Sequence, residues 1–549
     1  MYNVHFDDLE ARLPYQSVYE AFAAAAARQP DAAFLCVPAR AARAWWPQGG
    51  DITYGQMATR VVGQRAAYAD AGYGPGHRVA LLLENRPVFF EHYLALNSLG
   101  AGIVPINPDY RHDEMTYQMA HSRADLAVCV SERITDLERV ADEREKPLPV
   151  LNAGFLPNKF PSPAGRAGEW EPGRNAECSL MYTSGTTGRP KACILTNRYY
   201  LEAGAWYRDL GGLCAIRAGD RVYNPLPLYH MNAQAVAATM VMLTGNCLII
   251  PERFSPTRWW AEVAETKATI IHYLGVVPPL LLNQPSSPAD RAHSVRFGLG
   301  AGVEPQLHQP FEERFGFPLV EIWGMTETGR IFAVTDAPRQ IDTRAFGRPT
   351  SGLEARIVDS NDNELPRNRE GELVVRWGGL EGPRHGFFSG YLDNDAATAE
   401  AWRSGWFHTG DTVRQDETGM LFFVDRSKNM IRRSGENIAA AEIEAVLQAA
   451  PWVHQVAVLP CPDETREAEV LACVVLGPGE PANLALATQL HAWANERLAY
   501  FKAPGWILFL DRLSTTGTQK IQKHQIFSSN EDPRSRPGIF DLRHLKKRR

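Results

Sequence analysis

The chain has 549 residues, its 57 Lys and Arg against 63 Asp and Glu leave a formal charge of −6, and 45% of it is hydrophobic. At roughly 150 residues per domain, this length predicts three or four modules with ample core. The composition excludes a disordered chain, and the balanced charge gives no reason to expect nucleic acid as a partner.

The basic run Arg543-His544-Leu545-Lys546-Lys547-Arg548-Arg549 reads as a solvated end, with a membrane or polyanion contact as the lesser alternative. The longest apolar stretch, Ala235 to Ile250, is broken by Thr239, Thr244, Gly245 and Asn246. It falls short of the roughly 20 residues a bilayer needs, so no integral membrane association is expected. Met1 to Asp8 lack the basic region and apolar run of a secretory signal. The eight cysteines are scattered without a Cys-x-x-Cys pair. They read as buried thiols in a reducing cytosol, no zinc site is legible, and a cytoplasmic location is expected.

In chain order, Val79 to Leu83 reads as a buried strand and Pro87 to Leu99 as a helix with proline in its first turn. Gly102 to Ile106 is a strand, Arg111 to His121 a helix and Leu126 to Val130 another strand. This alternation predicts parallel α/β layers. Residues 157 to 177 form a Pro-, Gly- and Glu-rich connection, and further α/β units are expected around Arg221 to Ile250 and Thr269 to Leu299. Beyond about residue 344, Arg356 to Val358, Glu372 to Arg376 and Met420 to Val424 read as antiparallel strands between turns. A small α/β region follows, with a helix near Ala441 to Ala450 and strands at Val456 to Leu459 and Ala472 to Leu476. These textures place one domain at 1–425 and another at 426–549.

Five segments carry chemistry. Thr183-Ser184-Gly185-Thr186-Thr187-Gly188-Arg189-Pro190-Lys191 follows the expected strand Cys178 to Tyr182. It offers hydroxyls, glycine-freed backbone N–H groups and an ammonium, the ingredients for gripping polyphosphate. It is not a P-loop, since Arg189-Pro190 separates the last glycine from the lysine. A Gly/Ser/Thr cluster alone is equally a polar turn; the order of all nine residues favours phosphate.

Glu321-Ile322-Trp323-Gly324-Met325-Thr326-Glu327-Thr328 sets a hydroxyl beside a carboxylate. Oxygen ligands of this kind suit Mg²⁺, although Thr-Glu alone is more often a helix start. Gly405-Trp406-Phe407-His408-Thr409-Gly410-Asp411 ends in an acid that could grip a ribose diol or cap a turn. Asp425 to Asn437 lies on the domain boundary and alone reads as a charged linker; Thr515 to Lys523, with Lys520, alone is a polar, basic loop.

Together and in this order, the five segments resemble the adenylate-forming superfamily: acyl-CoA synthetases, peptide-synthetase adenylation domains and firefly-type luciferases. The resemblance runs over roughly residues 15 to 525, and Arg426 to Leu447 looks most like the crotonobetaine/carnitine-CoA ligase branch. It implies a multidomain α/β fold: a large N-terminal domain of layered α/β sheets plus a distorted antiparallel β-barrel, then a small mobile α+β C-terminal domain. It also implies an ATP-dependent acyl-CoA ligase, which forms acyl-AMP with release of pyrophosphate and passes the acyl group to CoA. An acyl-AMP ligase loading a separate carrier protein is the alternative.

By matching motif positions, the resemblance gives Thr183, Ser184, Gly185, Thr186, Thr187, Gly188 and Lys191 to the β- and γ-phosphates. Glu327 would bind Mg²⁺, and Thr326 would touch the α-phosphate. Asp411 would take the ribose hydroxyls with Arg426 assisting. Gly300, Ala301 and Gly302 on one side and Glu321, Ile322 and Trp323 on the other would wall the adenine, with Gly324 and Met325 leading on. Lys520 would bridge acyl carboxylate and α-phosphate, where charge builds during attack.

His230 would gate an acid pocket lined by Asn232, Gln234, Tyr273, Gly275, Val277 and Gly302; a lone histidine there otherwise reads as core, and the two amides could equally satisfy backbone groups. Lys428 matches the hinge, and Gly435 with Glu436 flanks the CoA tunnel. Three positions depart from the pattern. Ala192 and Gln519 replace glycines, and Trp323 replaces a tyrosine, preserving stacking but losing the hydroxyl. Gln519 makes Lys523 a rival to Lys520.

Overall fold

The aliphatic runs between residues 79 and 130 form the elements their spacing predicts, with ends displaced by about one residue. The computed structural model describes residues 13–146, 148–169, 173–183, 190–329, 332–350, 352–426, 430–514, 521, 523–528 and 531–548. In it, Arg78–Leu82 is a strand, Pro87–Ser98 a helix, Gly102–Pro105 a strand, His112–Ser122 a helix and Leu126–Cys129 a strand. Pro87 sits in the first turn of its helix, where a missing N–H costs nothing. That helix buries Phe89, Phe90, His92, Tyr93, Leu94 and Leu96, covering it nearly all round.

The chain divides into two compact units. The first comprises Met1–Pro108, Met119–Met181 and Ala192–Arg426; the second, Asp109–Gln118, Tyr182–Lys191 and Ser427–Arg549.

The first unit contains an eight-stranded sheet in the order Phe332–Ala333, Leu319–Trp323, Phe297–Ala301, Ile270–Leu274, Arg221–Tyr223, Cys247–Ile249, Ala33–Val37, Gly50–Thr53. Its six inner strands are parallel, and the two edge strands are antiparallel. A six-stranded sheet runs Val150–Asn152, Leu126–Cys129, Arg78–Leu82, Gly102–Pro105, Glu177–Thr183, Lys191–Thr196. The antiparallel element is a five-stranded sheet, ordered Ala345–Gly347, Leu421–Arg426, Phe407–Gln415, Glu370–Trp377, Leu353–Val358. All eight cysteines are buried free thiols. Among the described residues, no helix is long and apolar enough to cross a membrane.

In the second unit, Glu436–Ala439, Met430–Arg433, Glu467–Leu476, Trp506–Phe509 and Ile539–Asp541 form a sheet, and Val453–Asp463 pairs with Glu467–Leu476. Helices Ala440–Gln448 and Leu484–Arg497 cover it. The basic end is solvated at Arg543, His544, Lys547 and Arg548, as its charge suggested, but the chain around them is anchored and the Lys546 side chain is buried. Ile539–Asp541 is an edge strand and Leu542 is fully buried. The Lys546 side chain is 1% exposed, with Nζ 2.5 Å from Glu469 Oε1. Glu469 also takes Arg433 Nε at 2.7 Å. A buried carboxylate needs cations around it, and the tail supplies one.

Candidate active site

The adenine-side segments lie on neighbouring strands of the eight-stranded sheet. Phe297–Ala301 and Leu319–Trp323 run parallel, and Gly300 pairs with Glu321. Glycine at 300 answers to packing from the next strand, because a Cβ there would lie 2.2 Å from the Tyr273 carbonyl oxygen. A Cβ on Gly275 would lie 2.0 Å from the Gly302 oxygen, so these two backbones touch directly.

The Glu321 side chain is engaged within the protein. It accepts the Gly302 N–H at 2.8 Å and the Tyr273 hydroxyl at 2.8 Å. Burial holds its carboxyl above the usual carboxylate range. Glu321 therefore shapes the Gly302 turn through its side chain and leaves only backbone to face a nucleotide.

Trp323 stacks on Phe332, centroids 5.2 Å apart at 26°, and its indole Nε1 donates to Asp411 Oδ2 at 2.8 Å. The tyrosine-to-tryptophan departure thus adds a donor while losing a hydroxyl. Ile322 is buried in the main core. After Gly324, which is exposed, Met325 and Thr326 are half-buried in a turn. Glu327 is buried, and its Oε1 accepts the Tyr391 hydroxyl at 3.0 Å. Asp411, in strand Phe407–Gln415, pairs in register with Arg426. Gly410 before it has φ 72°, a left-handed conformation that suits glycine. Its N–H is held by Glu372 Oε1 at 3.0 Å, and the Asp411 N–H by Thr409 Oγ1 at 3.1 Å.

Thr183 ends its strand and Lys191 begins the next. Between them, Ser184, Gly185, Thr186, Thr187 and Gly188 lie outside the described residues, as do Lys428 and Lys520. Sequence reasoning missed Tyr117, whose hydroxyl donates to the Pro190 carbonyl at 2.9 Å and so braces the loop's far end. A tyrosine one helical position from Gln118 carries no motif that would reveal this. Lys523, the rival lysine, is tied to Glu444 Oε1 at 2.7 Å. Ser434 and Gly435 have φ of 50° and 86° and form the two-residue turn closed by the Arg433–Glu436 pair. Consecutive left-handed residues make this a hairpin turn of the type that selects glycine. Glycine at 435 thus has a local reason besides the passage of a thin ligand, and the half-buried Glu436 follows it.

On the acid side, Asn232–Ala238 forms a π-helix, a form that recurs at functional sites. His230 is half-exposed just before it, its ring 4.5 Å from that of Tyr229. Asn232 Oδ1 lies 2.7 Å from His272 Nδ1. Gln234 is fully buried and accepts the Tyr200 hydroxyl at 2.8 Å.

Two expected pocket residues face elsewhere. Tyr273 and Val277 pack in a cluster with Trp259 and Phe311, and the Tyr273 hydroxyl donates to the Val320 carbonyl at 3.0 Å. Strand alternation is the reason: with Tyr273 on one face of the sheet, the preceding His272 is on the other, where it meets Asn232 and Tyr207. His272 is thus a second residue that sequence reasoning missed, because a strand buried on both faces does not show which face lines the site.

Comparison with known proteins agrees with this geometry. The AMP-binding enzyme family matches residues 22–392, and the AMP-binding enzyme C-terminal domain matches 442–520. The crotonobetaine/carnitine–CoA ligase of Citrobacter koseri is 31% identical over 83% of this chain and 89% of its own. That of Proteus mirabilis is 30% identical over 82% and 89%. Among solved structures, a double mutant of o-succinylbenzoate CoA synthetase from Bacillus subtilis, bound with a product analogue, superposes with a TM-score of 0.79. It is 23% identical and covers 93% of this chain and 98% of that one. The amide bond synthetase McbA from Marinactinospora thermotolerans gives 0.78 at 23% identity, covering 93% and 99%. The chain belongs to the AMP-binding enzyme family. Within that family it is an AMP-forming acid–CoA ligase.

Proposed function

We propose the following division of labour for this ligase. In the first half-reaction, a carboxylate oxygen of the acid attacks the α-phosphorus of ATP, and the bond to pyrophosphate breaks. Thr183 to Lys191 hold the β- and γ-phosphates, Thr326 contacts the α-phosphate, and Asp411 with Arg426 takes the ribose diol. Adenine lies between Gly300–Gly302 and Trp323. Lys520 offsets the charge that accumulates as an anion meets a phosphate. In the second half-reaction the thiol of CoA displaces AMP, passing Gly435 and Glu436, after residues 426–549 swing about Lys428 relative to 1–425. His230 gates the acid, which lies along Asn232.

The single observation that carries this reading is the meeting of two motifs 88 residues apart, through the 2.8 Å bond from Trp323 to Asp411. It places a buried carboxylate of one motif against the aromatic of the other, where a ribose diol and an adenine can be held together. Glu327 fits Mg²⁺ similarly. It is one buried carboxylate beside the Thr326 hydroxyl, enough for an ion that takes most of its shell from phosphate and water. Bound there, Mg²⁺ would neutralise charge on the phosphates.

The test is pyrophosphate release from ATP and Mg²⁺ across a panel of acids that includes crotonobetaine and carnitine, each with and without CoA. A CoA-dependent signal with the thioester confirmed by mass is the expected result. Adenylate formed with no thioester at any CoA concentration would overturn CoA as the acceptor and favour a carrier protein.

A further inference from the structure

The acid-side polar groups form one chain of hydrogen bonds whose donor and acceptor order can be worked out from its ends. At one end, Asn224 Oδ1 accepts the backbone N–H of Leu226 at 3.0 Å. That contact fixes the amide, so the Asn224 Nδ2 group points towards Asn232 Oδ1 at 3.3 Å and His272 Nδ1 at 3.2 Å. At the other end, the Tyr207 hydroxyl, fully buried, lies 2.9 Å from His272 Nε2. Burial holds that phenol far above its usual pKa, so it keeps its proton, and the hydroxyl is able to donate to Nε2 or to accept from it. Burial also pushes the His272 imidazole down to about 3, so the ring is neutral and carries a single N–H. Asn232 Oδ1 faces Nδ1 at 2.7 Å, so that N–H is on Nδ1 and donates to it, which leaves Nε2 to accept from Tyr207. The opposite orientation of Asn232 would aim two NH₂ groups, its own and that of Asn224, at Nδ1, whose single lone pair serves one donor where an amide oxygen serves two.

The Asn224 end and the lone-pair count therefore give one outcome, with which the Tyr207 hydroxyl is compatible. The carbonyl oxygen of Asn232 is taken by two donors, and its NH₂ group, on a half-exposed residue two positions after His230, has no protein partner among the described residues.

We infer that Asn232 presents a fixed hydrogen-bond donor to the acid, so that the enzyme selects carboxylic acids bearing an acceptor oxygen, a hydroxyl or carbonyl, over plain alkanoic acids. This rests on the acid-activating reading above and on the acid lying along Asn232. His272, Tyr207 and Asn224 are positioning residues, because they act only by fixing which end of the amide faces the substrate. A site built to bond a polar group discriminates strongly against the analogue that lacks it, because the site's own donor is left unpaired.

The test compares kcat/KM for pyrophosphate release with hexanoic acid and with its hydroxy and oxo derivatives, in wild type, Asn232→Leu, Asn232→Asp and His272→Phe. Wild type is expected to favour at least one derivative over hexanoic acid by about tenfold or more. Asn232→Leu should bring that ratio near unity with the KM for ATP unchanged. Asn232→Asp, which exchanges donor for acceptor, should turn the preference towards an amino derivative. His272→Phe should lower the ratio while sparing hexanoic acid itself, which a merely misfolded variant would not do. A ratio unchanged in Asn232→Leu, with ATP binding intact, overturns the inference and leaves the ligase reading standing. Silence of the wild type with every acid of the preceding panel as well as these would instead overturn the ligase reading.

Discussion

Both units bury carboxylates against cations, Asp220 against Arg296 and Asp290 against Arg314 in the first, but the carboxylates assigned to the nucleotide show another arrangement. In the first, Asp411 accepts a hydrogen bond from the Trp323 indole and Glu327 accepts one from the Tyr391 phenol. In the second, full charges are buried against each other. Lys502 Nζ lies 2.7 Å from Glu114 and 2.8 Å from Glu442, and Glu469 sits between Arg433 and Lys546. A neutral donor orients a carboxylate without itself cancelling the charge. A buried ion pair cancels its own field, so it fixes architecture and is lost to chemistry.

This contrast gives the largest prediction. Among the described lysines of the second unit, Lys502, Lys523 and Lys546 are all held in ion pairs. Of the two lysines in competition for the role, Lys523 is thus engaged by Glu444, which leaves Lys520 as the candidate to offset charge on an incoming phosphate. Lys520→Ala is expected to slow adenylate formation by about a hundred- to a thousandfold while sparing thioester formation from supplied acyl-AMP. Lys523→Ala should stay within a few-fold of wild type in both half-reactions. Stopped-flow of each half-reaction checks this, and equal loss of both in Lys520→Ala would remove its assignment.

Next in size is Gly435→Trp, expected to block transfer to CoA while leaving pyrophosphate release intact. Because Gly435 has φ 86°, the bulky residue also strains the turn, and a second variant must separate the two effects. Gly435→Asn tolerates the left-handed conformation and should retain most CoA transfer. If Asn fails as completely as Trp, the turn matters and the tunnel assignment falls.

Trp323→Phe tests the first unit's device directly. It keeps a ring on Phe332 but removes the indole N–H from Asp411, a loss of about 1.5–3 kcal/mol for a bond to a charged group. The KM for ATP should rise about ten- to hundredfold, with a smaller change for 2′-deoxy-ATP, which already forgoes half of the diol. Equal effects on both nucleotides would mean that Trp323 serves the adenine alone.

The difference between the units also explains what could be read from sequence. Contiguous segments such as Glu321 to Thr328 and Gly405 to Asp411 carry their chemistry within a few residues, so their order alone identified the family. The strands from Arg78 to Cys129 were legible because buried parallel strands are unbroken aliphatic runs. The relay of Tyr207, Asn224, Asn232 and His272 was not, because it draws on four separate segments whose meeting depends on sheet order. The same holds for Lys546: a lysine in a basic tail looks solvated until the fold brings Glu469 beneath it. Tyr273 was misplaced for a simpler reason, since nothing in Ile270–Leu274 shows which face of a doubly covered strand is which.

The smallest effect comes from the charged interior of the second unit. Burial, with the Glu442 charge adding to it, pushes the Glu114 carboxyl up to about 7 against the pull of Lys502. One ammonium shared by two carboxylates leaves an excess negative charge, which a proton relieves. Between the ordinary glutamate pKa near 4.5 and about 7, the folded chain thus keeps a proton that the unfolded chain has released. Stability contributed by Glu114 is therefore fully present below the lower value and is lost as pH rises through the upper one. Hydrogen exchange of peptides covering Ala440–Gln448 and Leu484–Arg497 should accordingly show protection, corrected for intrinsic rate, falling between pH 5 and 8, by on the order of 1–2 kcal/mol. Glu114→Gln keeps the shape and the bond to Lys502 but carries no titrating charge, so the slope should disappear and protection at pH 8 should match or exceed that of wild type. A slope that persists in Glu114→Gln would mean that the proton resides on Glu442, and Glu442→Gln would then be the variant that abolishes it.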